Sequence, residues 1–339
     1  MKRQTFFKAV LYCSLMVLLM LSAQVRAQSS RSRVRGLYGD WQVKVDYNGR
    51  QFDSILSFSR DREGNQTGSW ISFMGLSELK DIKYEDGQLS FKWSRRNRDG
   101  ETSTTSFKGA IKEGKLSGTL SSDRGEFELE GKRSPRVPRA VGSWAMKYKF
   151  GEREITSTFV VKADKQGKLT AQWQGRRSKS EITDLQYERG NLTFKRKSTY
   201  RDRQFESTFE GTVRGDTLSG VMKSQRGEIT IEGKLVGAPI IGTWNLEVTS
   251  ERWGSRKQRL RVNPDMSGLY GAIPIKKINL EGDQVSFKIV LEFGDQKFEM
   301  NFEGKLEDSK LTGELTSSRG SQKIKGTKVV RTFRRRSRT

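Results

Sequence analysis

The stretch Phe209–Gly233, FEGTVRGDTLSGVMKSQRGEITIEG, is one of three versions of the same text in a 339-residue chain. The others are FKGAIKEGKLSGTLSSDRGEFELEG at Phe107–Gly131 and FEGKLEDSKLTGELTSSRGSQKIKG at Phe302–Gly326. F-x-G, L-[ST]-G, R-G and a closing glycine recur in each, displaced by 102 residues from first to second and by 93 from second to third. Gly39-Asp40-Trp41, Gly142-Ser143-Trp144 and Gly242-Thr243-Trp244 stand ahead of the three copies at similar distances. One module of about 90 residues is therefore made three times, and the repeat dictates the architecture.

Within a module the apolar residues recur every second position, as in Trp41, Val43, Val45 and Tyr47, or Trp144, Met146, Tyr148 and Phe150, or Trp244, Leu246 and Val248. That is the strand period. Turn clusters such as Glu85-Asp86-Gly87, Lys112-Glu113-Gly114 and Asp123-Arg124-Gly125 cut the first module into eight short strands, with no helical stretch. Sequential antiparallel strands can close on themselves and so remove exposed edges. The expected fold is all-β: three tandem eight-stranded up-and-down antiparallel barrels, with two-sheet sandwiches as the alternative. The expected division is a signal peptide at 1–27, a basic segment at 28–38, barrels at 39–131, 142–233 and 242–326, linkers at 132–141 and 234–241, and an Arg-rich tail at 327–339. The first linker, KRSPRVPR, reads as polar and semi-extended. The second is more apolar and is expected to pack against a barrel.

Residues 1–27 combine Lys2, Arg3 and Lys8, an apolar run from Phe6 to Leu21 and the small-residue site Val25-Arg26-Ala27. This reads as a secretory leader, with a retained membrane anchor as the rival, and it places the protein in the periplasm, at the cell surface or outside the cell, with no transmembrane span after cleavage. Cys13, the sole cysteine, lies in the leader, and the chain has no histidine. The mature chain thus has no disulfide, no thiolate nucleophile and no imidazole for metal or proton chemistry.

The formal net charge is +24. Set against Asp and Glu, the Lys and Arg of the three modules number 14 against 16, 18 against 12 and 14 against 12, so most of the excess lies in the leader, linkers and tail. Arg133, Arg136 and Arg139 in the first linker and Arg334, Arg335, Arg336 and Arg338 in the tail are candidates for contact with a polyanion, an anionic polysaccharide or envelope surface. Solvated connectors are the other reading of the same charges.

G-x-W at the start of the first strand of a barrel resembles the lipocalin and avidin group, the calycin-like barrels. The resemblance implies that Trp41, Trp144 and Trp244 plug one end of each barrel and that a late Arg or Lys packs across the indole. Lys132 and Lys234 are the residues expected over Trp41 and Trp144. In the third copy Lys325 and Lys328 flank Gly326-Thr327, and the register is off by one. A [TS]-[GA]-x-aromatic stretch, at Thr67–Trp70, Thr170–Trp173 and Ser267–Tyr270, resembles an avidin motif that places an aromatic at the ligand mouth. Trp70, Trp173 and Tyr270 read either as wall and core residues or as stacking platforms for a small apolar ligand. The G-T-W…L-[ST]-G…F-x-G modules are also similar to repeats of secreted bacterial proteins of undefined role.

Arg124, Arg226 and Arg319 each precede a glycine at the turn into the last strand. Each either holds its turn or presents one cation at the same place on every barrel. Carboxylates alternate with Lys or Thr along strands, as in Phe127-Glu128-Leu129-Glu130, which is a solvent face and not a catalytic cleft. No phosphate loop, dinucleotide turn, nucleophile elbow or calcium loop is present. The sequence therefore points away from an enzyme and from any cofactor. It leaves three readings: an exported non-catalytic binding or scaffold protein held to an anionic polymer, a carrier of a small apolar ligand inside each barrel, and a structural spacer.

Overall fold

Side chains on a strand alternate between two faces, so a period-two apolar pattern buries one face of a sheet and leaves the other wet. The computed structural model describes residues 36–329 apart from 48, 97–100, 165, 176–178, 201–202, 252–253 and 294–295. Over those residues the pattern gives three antiparallel sheets, each curled into a nearly closed barrel, and no helix. By internal packing the chain divides into two compact units, the first barrel in one and the second and third barrels in the other.

The first barrel contains β1 (Gly39–Tyr47), β2 (Arg50–Arg60), β3 (Gln66–Ser72), β4 (Gly75–Glu78), β5 (Lys80–Glu85), β6 (Gln88–Arg96), β7 (Thr102–Lys112), β8 (Lys115–Ser122) and β9 (Gly125–Arg133). They are ordered β4-β3-β2-β1-β9-β8-β7-β6-β5. The second contains β10 (Gly142–Phe150), β11 (Arg153–Ala163), β12 (Leu169–Gln174), β13 (Lys179–Glu188), β14 (Asn191–Tyr200), β15 (Arg203–Arg214), β16 (Thr217–Ser224) and β17 (Gly227–Leu235), ordered β12-β11-β10-β17-β16-β15-β14-β13. The third contains β18 (Gly242–Ser250), β19 (Gly254–Val262), β20 (Gly268–Tyr270), β21 (Ile273–Ile275), β22 (Ile278–Glu281), β23 (Gln284–Phe293), β24 (Gln296–Glu307), β25 (Lys310–Ser317) and β26 (Gly320–Lys328), in the same order as the first.

In each barrel the first strand pairs with both the second and the last, which is the closure expected of a meander. The strand count departs from eight in two of the three. The first and third barrels hold nine strands, because a short extra strand, β4 or β21, lies at the seam where the sheet's two edges meet. The second has eight, and in all three barrels no ladder joins the sheet's two edges among the described residues.

The repeated motif is explained by close packing. Gly211 on β15 lies directly opposite Gly220 on β16, and the ring of Phe209 lies over the pair. A methyl group on Gly211 would come within 2.5 Å of the Phe209 ring and 2.6 Å of the Ser219 carbonyl oxygen. The same arrangement joins Gly109, Gly118 and Phe107 in the first barrel and Gly304, Gly313 and Phe302 in the third. F-x-G and L-[ST]-G are thus two halves of one contact, an aromatic ring covering a bare patch of sheet. The closing glycine has a related reason. A methyl on Gly233 would meet the Met146 sulfur at 2.6 Å, where the last strand presses on the first.

Both linkers are partly structural. Ala140 and Val141 are buried at the base of the second barrel, and the Val141 N–H donates to the Pro138 carbonyl (3.0 Å). In the second linker Val236 N–H donates to Ser143 O (2.7 Å), Ile240 is fully buried in the third core, and Gly237 lies against Met266. Gly211→Ala and Gly220→Ala should each destabilise the second barrel by about 1–3 kcal/mol, the usual cost of overpacking. Urea unfolding followed by far-ultraviolet circular dichroism checks this.

Candidate functional site

Each barrel is built up from its tryptophan. Trp41, Trp144 and Trp244 are fully buried, and each indole N–H donates to the carbonyl four residues earlier: Leu37 (2.9 Å), Ala140 (2.9 Å) and Ile240 (2.8 Å). The cation over the indole is not the expected one. Arg133 lies opposite Trp41, with its guanidinium carbon 4.7 Å from the ring centre, and it donates to the Tyr38 and Gly36 carbonyls. Lys132 lies opposite Gln42 and faces solvent. Lys328 is the third barrel's counterpart, 5.6 Å from the Trp244 ring centre and donating to Pro239 O (2.5 Å). Burial lowers the Lys328 ammonium below the ordinary lysine pKa. In the second barrel Leu235 occupies this place, and Lys234 turns outward to the Thr217 hydroxyl (3.0 Å). In the first two barrels the correction is one residue, and in a strand one residue exchanges the two faces.

Trp70, Trp173 and Tyr270 all lie in the walls, none more than 8% exposed. Trp70 stacks on Trp93 with centroids 4.7 Å apart and planes 8° from parallel. Trp173 packs against Phe159 and Phe194 and carries the guanidinium of Arg196 4.7 Å above its ring. Tyr270 sits beside Arg256, and burial raises its hydroxyl pKa while the Arg256 charge opposes the rise.

The second residue of that motif also has a role. A methyl on Gly68 would meet Leu79 at 2.8 Å and one on Gly268 would meet Ile278 at 2.9 Å. The second barrel has Ala171 there, and beside it opens a cleft of about 550 Å³ lined by Leu169, Ala171, Ile182, Leu185, Tyr187 and Pro138, among others. The cleft runs along the unjoined seam between β12 and β13. Asp184 on its rim pairs with Lys195 at 2.8 Å, which raises the lysine pKa.

Arg124, Arg226 and Arg319 sit in identical two-residue turns. The backbone N–H of each donates to the hydroxyl of a serine two residues earlier, Ser122, Ser224 or Ser317, at 3.2 Å. The turn is therefore held by serine and backbone, and the arginine side chain is left for other work. Arg226 lies over Phe205 (4.3 Å) and Arg319 over Phe298 (4.0 Å), both exposed. Arg124 has Ser103 in place of that phenylalanine and acts instead on Tyr47, whose hydroxyl pKa burial raises and the Arg124 charge lowers. The serine of S-x-R-G is the signal in the sequence that marks the turn. Arg136 and Arg139 are exposed on the first linker. Arg334, Arg335, Arg336 and Arg338, with the leader, lie outside the described residues. Among the described residues no three metal-ligating side chains gather in one place.

No family model matches the chain, and no curated protein does. Solved structures give weak overlaps. A Bacteroides fragilis chain provisionally described as an outer membrane protein is 11% identical, with 87% of this chain and 99% of that chain covered and a TM-score of 0.23. A Nostoc punctiforme protein of the DUF3598 family, of unknown function, is 11% identical over 87% and 97%, with a TM-score of 0.20. Transferrin binding protein B of Haemophilus parasuis is 11% identical over 86% and 76%, also at 0.20. Likeness at this level assigns neither a family nor an activity.

Removing a wall aromatic leaves a large cavity, so Trp70→Ala should cost the first barrel about 3–5 kcal/mol. A shift of the urea midpoint of that size checks it, since a residue reserved for ligand stacking would move the midpoint little.

Proposed function

We propose that this is an exported, non-catalytic binding protein whose barrels are a scaffold and whose exposed cations attach it to an anionic polymer or envelope surface. The observation that carries the reading is the S-x-R-G turn. In the second and third barrels it holds a guanidinium over an aromatic ring, exposed and without an acidic partner among the described residues. A cation held this way loses little side-chain freedom on meeting a sulfate or carboxylate, and repetition along one chain multiplies weak contacts. Arg136, Arg139 and the Arg-rich tail add charge in the same sense, as does the excess of +6 in the second module.

The test is retention of the mature protein on an immobilised sulfated or uronic polysaccharide across a salt gradient. The tail is removed after Val329, since Lys328 belongs to β26 and to the base of the third barrel. Retention should fall steeply with salt, and R124Q/R226Q/R319Q should reduce the slope of log affinity against log salt by up to about three. Retention that ignores salt, or that neither the triple variant nor the tail deletion changes, overturns the reading.

The seam cleft favours a second reading, a carrier of a small apolar ligand, for the second barrel alone. Binding of an apolar probe should then be insensitive to salt and lost in Ala171→Phe, which fills the cleft. Binding unaffected by that change removes the reading.

A further inference from the structure

In each barrel one interior layer lies just beyond the paired phenylalanines. Phe91 faces Phe107, Phe194 faces Phe209 and Phe287 faces Phe302 across neighbouring strands. Two residues further along β6, β14 and β23, on the same face, stand Trp93, Arg196 and Ile289. In the first barrel this layer is an apolar stack, Trp93 on Trp70. In the third, Ile289 is fully buried in the core with Tyr270. At this strand position only the second barrel carries a charge, although in the third barrel Arg256, on β19 opposite the buried Val248, reaches Tyr270 from a neighbouring strand.

Arg196 is inside the barrel, its guanidinium over the face of Trp173 and its Nε donating to the Ser180 hydroxyl at 3.1 Å. Tyr148, whose ring is tilted 56° to that of Trp173 with centroids 6.3 Å apart, brings its hydroxyl within reach of the same guanidinium. Among the described residues no carboxylate contacts Arg196. Burial accordingly lowers the guanidinium pKa, and nothing but Tyr148 opposes the shift. Two further donors in this part of the barrel are buried without a partner: the Trp173 indole N–H and the Ser157 hydroxyl. Ser157 lies opposite Met146 and Trp173 opposite Phe159, so both face the interior. A half-buried cation with no carboxylate partner, beside two buried donors without acceptors, is costly to hold against an apolar wall unless an anion completes them.

We propose that this layer of the second barrel is a binding site for one carboxylate group, with Arg196 gripping it through two N–H donors and Tyr148 adding a third. Trp173 serves as the platform that fixes the guanidinium plane. An arginine fork matches a carboxylate's two oxygens, which a lysine cannot do. The site is separate from the surface cations and does not depend on their role. Its ligand is the carboxylate of a small organic acid, free or as one unit of an acidic polymer.

The experiment is calorimetric titration of the mature full-length protein with D-glucuronate and, separately, with a short oligogalacturonate, in about 0.5 M sodium chloride to screen the surface charges. Saturable binding is expected, weakened roughly tenfold or more in Arg196→Gln and about threefold to tenfold in Tyr148→Phe. R124Q/R226Q/R319Q should leave it unchanged, which separates this site from the proposed surface attachment. Tighter binding of the monomer points to a free acid as the natural ligand, and tighter binding of the oligomer to a polymer unit. Thermal unfolding guards against misfolded variants: ligand should raise the midpoint of the wild type and not that of Arg196→Gln or Arg196→Met. No saturable binding to the folded wild type, or equal binding by Arg196→Gln, overturns the proposal. So does a fall in unfolding midpoint in Arg196→Met without any ligand-induced rise in the wild type, because Arg196 would then be packing alone.

Discussion

The indole N–H of the G-x-W tryptophan, bonded to a carbonyl four residues earlier, is the contact on which each barrel depends. Closing a sheet requires its first strand to sit between the second and the last while something fills the end. A fully buried tryptophan side chain removes so much apolar surface from water that it stabilises the base by about 4–6 kcal/mol. Its one polar atom would cancel about 1–3 kcal/mol of that if left unpaired. The chain solves this locally: Leu37, Ala140 and Ile240, each fully buried, turn back across the base and supply the acceptor. The segment before each barrel is therefore part of the barrel. This is why the second linker, far from being a free spacer, threads Ile240 into the third core.

The fold was largely legible because it rests on period and punctuation. Alternating residues such as Trp41, Val43 and Val45 and turns such as Lys112-Glu113-Gly114 suffice to mark strands and their order. What escaped was anything decided by a single register step. Lys132 and Arg133 are adjacent and both basic, and only the ladder tells which of them shares a face with Trp41. The short strands β4 and β21 escaped for another reason. Gly75–Glu78 and Ile273–Ile275 are too brief to show a period, and their pairing is set by the seam.

The interior cation was legible in principle. Leu192, Phe194 and Arg196 alternate, so the parity that places the first two inside also places the third. An arginine in a strand is ordinarily read as solvent-facing, and here the parity of its neighbours says otherwise. The S-x-R-G turn shows the opposite error. There the arginine drew attention although the serine holds the turn, and the phenylalanine beneath the guanidinium comes from another strand, which spacing within the motif cannot reveal.

Three copies of one scaffold make differences between them informative. The parts that close a barrel are repeated: the tryptophan with its carbonyl, the glycine pair under its phenylalanine, the glycine at the last strand. The second barrel departs from its neighbours at three points. It has no ninth strand at the seam, Ala171 where the others have a glycine pressed by Leu79 or Ile278, and Arg196 where they have Trp93 or Ile289. Each departure would be removed by residues already present in the sister modules. A chain that carries an apolar residue at this position in both neighbouring modules has no need of a cation there to close a barrel, although Arg196 does pack on Trp173. The physical case for the proposed carboxylate ligand therefore rests on the interior of the second barrel.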